Sequence, residues 1–153
     1  MSRVLYDQKQ IQSRIKLLAN KLNKEYFNKE LTIVYFLNSA SFFVIDLLKY
    51  LKIKVNIIPF SFKPNLKKDP PVFITLDVLE SLENKNVMLL EGMIITGNTP
   101  LYLIEYFKSK KPKSLKISAI GIKSKLINKE MKVNNFLFDF DNEMVVGYGI
   151  GNS

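Results

Sequence analysis

The chain has 153 residues, 47% apolar and 24% charged, with no cysteine, no histidine and a formal charge of +9. That length suits one domain with a proper core, and the missing residue types exclude His-based triads, thiolate nucleophiles, disulfides and most zinc sites. No apolar run reaches the roughly 20 residues of a membrane helix, and residues 1–7 lack the apolar centre of a signal peptide, so no membrane partner and a cytoplasmic location are expected.

Ile11, Ile15, Leu18 and Leu22 recur at helical spacing after Asp7, a good capping residue. They predict a helix over residues 7–27 with Lys16, Lys21 and Lys24 outside. Residues 31–37 are continuously apolar, the pattern of a strand buried on both faces. A second helix is expected up to Tyr50, carrying Phe42, Phe43, Ile45, Leu47 and Leu48. Residues 53–60 read as a strand that Pro59 should end. Residues 61–71 read as a polar, proline-containing loop, 72–75 as a short strand, and 78–82 as too short to classify.

Residues 87–91 then predict a buried strand, followed by a tight loop over 92–98 and a helix over 99–109. Leu101, Ile104 and Phe107 should face inward. Lys108, Lys110 and Lys111 suit the helix's negative end, and Pro112 stops it. A strand over 115–122, a polar loop over 123–135 and short strands over 136–140 and 144–148 complete the chain. Helices alternating with apolar strands imply an α/β fold: a single domain over 1–153 with a mostly parallel twisted sheet flanked by helices. Ligands in such folds bind at the carboxyl ends of the strands, an edge shared by the loops after Leu37, Leu90 and Ile122.

The central stretch organises this picture. Thr99 can cap its helix with Pro100 in the first helical position, and Gly92 and Gly97 are free to take positive φ. A strand running through such a loop into a helix N-terminus turns backbone N–H groups and the positive dipole end toward an anion.

The segment Glu91-Gly92-Met93-Ile94-Ile95-Thr96-Gly97-Asn98-Thr99 resembles the phosphoribosyl-diphosphate-binding motif of the type I phosphoribosyltransferases, above all the hypoxanthine-guanine branch. That motif reads two acidic residues, two apolar residues, Asp-Thr-Gly, any residue, then Thr. The likeness extends over nearly the whole chain. Residues 11–27 are similar to the family's first helix, and Tyr35-Phe36-Leu37-Asn38-Ser39-Ala40 to its first strand and pyrophosphate loop. Pro112-Lys113-Ser114-Leu115-Lys116-Ile117, Gly121-Ile122-Lys123 and Val145-Val146-Gly147-Tyr148-Gly149 follow in family order.

The resemblance implies transfer of ribose 5-phosphate from phosphoribosyl diphosphate to a purine, with magnesium. It places Thr96, Gly97, Asn98 and Thr99 around the 5-phosphate. Glu91 falls on ribose and, weakly, on metal; Asn38 and Ser39 on the pyrophosphate loop; Lys123, Met144 and Val145 in the base pocket. It also implies nucleoside monophosphate or phosphoribosyl diphosphate as ligand and a homodimer.

Several positions depart from the pattern. Ile95 stands where the general-base aspartate belongs, Gly92 at the second acid, Asn38 at the loop lysine and Met144 at the stacking aromatic. The aspartate expected near the end falls at Gly151, the sequence stops at Ser153 before the family's final arginine segment, and residues 61–71 lack the usual Ser-Tyr pair. The broken acid pair argues against magnesium here.

Structural readings stand beside the functional ones. Thr96, Gly97 and Thr99 also serve a turn and cap; Glu91 reads as a solvated strand-end residue, Lys123 as an ordinary loop lysine, and Asp139 and Asp141 as turn residues. The charge is mostly lysine, since Arg3 and Arg14 are the only arginines, and it is read as composition bias before a nucleic-acid surface. The expectation is a purine phosphoribosyltransferase homologue with transferase activity lost or strongly reduced that keeps its phosphate loop. A weakly active hypoxanthine phosphoribosyltransferase of purine salvage is the second reading. A non-catalytic structural or RNA- or protein-interaction module is the third.

Overall fold

Asp7 opens the first helix, α1 (Gln8–Glu25), as the sequence predicts. Its carboxylate accepts from the Gln10 N–H at 2.9 Å, while the Gln10 side chain accepts from the Asp7 N–H at 2.8 Å. This reciprocal pair satisfies two donors that the helix itself cannot. Ile15, Leu18, Ala19 and Leu22 form its buried stripe, and Leu17 on the other face is 62% exposed. The computed structural model describes residues 3–37, 39–65, 72–75, 80–141 and 143–151.

After α1 come β1 (Glu30–Phe36), α2 (Ser41–Leu48), β2 (Lys54–Phe60), β3 (Phe62–Asn65), β4 (Val72–Thr75), β5 (Asn86–Ile94), α3 (Asn98–Ser109), β6 (Ser114–Ile122) and β7 (Asn135–Asp139). Five strands form one parallel sheet in the order β2-β1-β5-β6-β7. Successive residues of β5 point to opposite faces, so its apolar run feeds two cores. Met88 and Leu90 pack with Ile15, Leu22, Phe43 and Leu47 of α1 and α2. Val87 and Leu89 pack with Leu103 and Phe107 of α3. The α/β architecture with helices on both faces is as expected.

Several local expectations need correcting. β5 runs on to Ile94 rather than ending near Glu91, because it stays paired with β6 as far as Ile94 with Ile122. Pro59 does not end β2; that strand lies at the sheet edge, where a missing N–H costs no ladder bond, and Phe60 still accepts from the Leu37 N–H at 2.9 Å. Residues 62–65 are strand rather than loop, antiparallel to β4 with Phe62 opposite Thr75. The rest of the expected loop, residues 66–71, and residues 78–79 of the unclassified stretch lie outside the described residues. Residues 144–148 form no strand; Gly147 and Ile150 make an isolated bridge instead. In α3 the deepest side chains are Leu103 and Phe107, with Leu101 and Ile104 half-buried.

No helix among the described residues is long and apolar enough to cross a membrane. Replacing Leu22 by Ala should lower the unfolding free energy by about 2–5 kcal/mol, since it opens a cavity under α1. Leu17→Ala should change it by no more than about 0.5 kcal/mol. Urea titration of the two variants measures the contrast.

Candidate functional site

Parallel pairing brings the carboxyl ends of β1, β5 and β6 to one edge. There β5 passes through residues 95–97 into α3. The turn depends on Gly97, whose φ of +80° is left-handed and suits a residue without Cβ. Space requires glycine as well, since a Cβ there would lie 2.9 Å from the Met131 Cγ.

The N-cap is Gly97, not Thr99, and it makes no side-chain cap. Pro100 therefore falls at the third helical position, still within the first turn, where no intrahelical carbonyl awaits an N–H. Thr99 is half-buried in that turn, and Asn98 and Thr96 are exposed. Gly92 takes no positive φ; it is an ordinary strand residue.

A second segment buttresses the loop from outside. The Lys123 N–H donates to the Ile94 carbonyl at 3.0 Å, and the Asn128 N–H to the Thr96 carbonyl at 2.8 Å. Met131 donates its own N–H to the Asn128 carbonyl at 2.9 Å and seats its side chain against Gly97. Asn128 and Met131 were not singled out in the sequence. The signals were an asparagine at a turn and an isolated apolar residue in a polar tract. The Asn98 N–H lies 3.5 Å from the Thr96 hydroxyl, a long contact that leaves it little engaged. The first-turn N–H groups of Asn98 and Thr99 have no acceptor within the helix itself.

The structure brings Ser39 to the same place. A Cβ added to Gly92 would lie 2.7 Å from both the Cβ and the carbonyl oxygen of Ser39. The loop after β1 is packed on the strand where the motif's second acid would stand. Asn38 lies outside the described residues. Lys123 joins the site through its backbone bond to Ile94.

Met144 and Val145 line a cavity of about 630 Å³ with Arg3, Tyr6, Phe138 and Phe140; Lys123 and residues 95–99 are not among its lining residues. Met144 is 86% exposed. Asp139 and Asp141 have the expected turn role: Asp139 accepts from the N–H groups of Ser124 and Asp141, both at 3.2 Å, and hydrogen bonding, first from the Ser124 side chain and then from these N–H groups, lowers its carboxyl pKa.

Residues 3–149 match the phosphoribosyl transferase domain family. The chain belongs to that family. A hypoxanthine-guanine-xanthine phosphoribosyltransferase of Tritrichomonas foetus is 32% identical over 154 residues, covering 97% of this chain and 83% of the relative. A hypoxanthine-guanine phosphoribosyltransferase of Streptococcus thermophilus is 28% identical over 153 residues, covering 98% and 85%. The crystal structure of a hypoxanthine phosphoribosyltransferase from Staphylococcus aureus superposes with a TM-score of 0.90 at 28% identity, over 99% of this chain and 85% of that one. The chain therefore sits in the hypoxanthine-guanine branch of the type I phosphoribosyltransferases.

Glu91 is not a solvated strand-end side chain: it is 8% exposed, because β5 continues beyond it. Burial pushes its carboxyl up to about 8, opposed by one hydrogen bond from the Gly92 backbone. A carboxyl neutral at pH 7 is a poor magnesium ligand. No group of three or more acidic side chains able to hold a metal occurs among the described residues. The donor set does not fit a magnesium ion held by the protein.

Two measurements check this site. Because the Glu91 carboxyl keeps its proton when folded but loses it near pH 4.5 when unfolded, the folded state binds more protons between about pH 4.5 and 8. The Glu91 contribution to stability should therefore fall as pH rises through that window, on the order of a few kcal/mol in total. Urea midpoints of Glu91→Gln should fall less over the same range than those of the parent. Gly92→Asp, which restores the motif's second acid, should destabilise by about 1–3 kcal/mol because Ser39 occupies the space; calorimetric melting reads the change.

Proposed function

We propose that this phosphoribosyltransferase homologue binds a purine nucleoside monophosphate or phosphoribosyl diphosphate at residues 96–99, with purine transfer lost or strongly reduced. The observation that carries the reading is the turn at 95–97, held from outside by Asn128 and Met131, at a helix start whose first-turn N–H groups have no intrahelical acceptor and where Asn98 makes only a long contact to the Thr96 hydroxyl. Backbone donors and the helix dipole suffice to seat a phosphoryl group. The Thr96 and Thr99 hydroxyls add donors beside them.

Chemistry at the base needs more. In the resemblance, an aspartate takes the proton from the attacking purine nitrogen. Here that position is Ile95, 43% exposed and without a proton acceptor. Loss of a general base commonly costs 10²–10⁴ in rate. Glu91 is buried and neutral, and Gly92 has no side chain to replace the second acid. No step here is routed through magnesium.

A weakly active hypoxanthine phosphoribosyltransferase of purine salvage is the second reading, favoured by the names of the relatives and by the kept phosphate loop. Pairing of two copies is supported by α2, where Phe42 and Ile45 are 58% and 57% exposed.

Isothermal titration with inosine monophosphate, phosphoribosyl diphosphate and ribose 5-phosphate should give saturable binding below millimolar ligand; no heat at millimolar concentration sinks the proposal. Nucleotide formation from hypoxanthine or guanine should be absent or at least 10²-fold below that of a family member assayed alongside. Ile95→Asp should raise it. Parent turnover matching that of the family member would replace the first reading by the second.

A further inference from the structure

Residues 143–151 form a small lobe beside the sheet. Its backbone is tied at one end by the Glu143 N–H to the Phe140 carbonyl at 2.9 Å. At the other end is a tight turn, with Gly147 and Ile150 exchanging hydrogen bonds of 2.7 and 3.0 Å. Tyr148 and Gly149, the two central residues, both have positive φ, 54° and 88°. Between these ties Val145, Tyr148 and Ile150 pack against the core, while Met144 and Val146 stay 86% and 63% exposed beside a cavity of about 630 Å³ that Phe138 and Phe140 also line.

One side chain spans from the lobe to the helical layer. The Tyr148 hydroxyl donates to the Asp46 Oδ2 at 2.5 Å, with the Phe42 carbonyl at 3.3 Å and the Phe42 ring centroid at 6.0 Å. Its acceptor is already held in place. Gln12 of α1 donates to the Asp46 Oδ2 at 2.7 Å, Lys49 donates to Oδ1 at 2.6 Å, and Tyr50 donates to the Gln12 Oε1 at 3.0 Å. The other tie between the lobe and distant chain, Arg3 with Glu143, is an exposed ion pair of the kind that contributes little.

We propose that the Tyr148–Asp46 pair is the positioning device for the wall formed by residues 144–146, and so decides how well the base part of a bound nucleotide is held. This rests on the nucleotide reading proposed above, together with the resemblance, which sets Met144 and Val145 against the base; the phosphate loop does not depend on the pair. Neither residue touches the phosphate loop, and both act through the lobe. A hydrogen bond to a charged acceptor is stronger than a neutral one, and this one ties the lobe to α2 beside the cavity. Its loss should free the lobe without unfolding the sheet.

The test uses Tyr148→Phe, which keeps the ring and drops the donor, with Asp46→Ala and the double variant. Amide exchange of residues 145–150 should rise at least tenfold in each single variant and no further in the double, while that of Ile15 and Leu47 stays unchanged. Non-additivity of this kind marks a direct pair. Inosine monophosphate should bind at least fivefold more weakly to Tyr148→Phe, and ribose 5-phosphate, which carries no base, should bind within twofold of the parent. Unchanged exchange in Tyr148→Phe, a double variant whose exchange is the product of the singles, or equal weakening of both ligands overturns the proposal. If the parent binds neither ligand, the nucleotide reading fails and the base-holding role fails with it. The exchange cycle then separately shows whether the clasp itself exists.

Discussion

The structure depends most on the pairing of β5 with both neighbours, and on how far that pairing runs. Between β1 and β6 the strand has water on neither face, so each of its side chains must pack or be neutralised. The β6 ladder holds β5 straight as far as Ile94. Two consequences reach the site. Glu91 is carried inside the sheet instead of emerging at its edge, and its carboxyl keeps a proton. The turn is pushed to residues 95–97, where only Gly97 can make it and where the 123–131 segment can reach its carbonyls.

Much of this was legible because the relevant signals are local. The stripe of α1 and its capping box follow from a 3.6-residue period and two side chains three apart. The buried strands follow from unbroken apolar runs, and the parallel order from their alternation with helices. What escaped was set by partners distant in sequence. The tolerance of Pro59 depends on β2 being an edge strand. β3 escaped, though its partner β4 did not, because their ribbon is built from main-chain bonds that polar residues make as readily as apolar ones. Whether Glu91 ends a strand depends on β6, thirty residues on. Thr99 looked like a cap because a hydroxyl before proline commonly is one, but the left-handed Gly97 starts the helix earlier.

The site divides in the same way. Its phosphate half is made of main chain: a turn, a helix start and the carbonyls that Lys123 and Asn128 secure. Changing it means changing the fold around Gly97 and Met131. Its acidic half is made of single side chains, and those can change cheaply. Ile95 projects where the fold asks nothing of it, and an apolar residue is tolerated there. Gly92 has no side chain, and Ser39 fills the space where one would begin, so a carboxylate there would require the loop to move. A chain can therefore keep the family's architecture in full while losing the groups that act on a substrate.

Electrostatics then decide what the remaining half is suited to. Two ionised carboxylates beside a helix start would oppose the dipole's attraction for a phosphoryl group unless a cation lay between them. This chain has one carboxyl there, four residues before the turn, and it is neutral at physiological pH. A neutral Glu91 does not oppose the anion-seeking end of α3, so a phosphoryl group seated there meets no repulsion from that carboxyl. The proposed nucleotide site therefore rests on main-chain donors and a helix end, and Ile95 and Gly92 leave both in place.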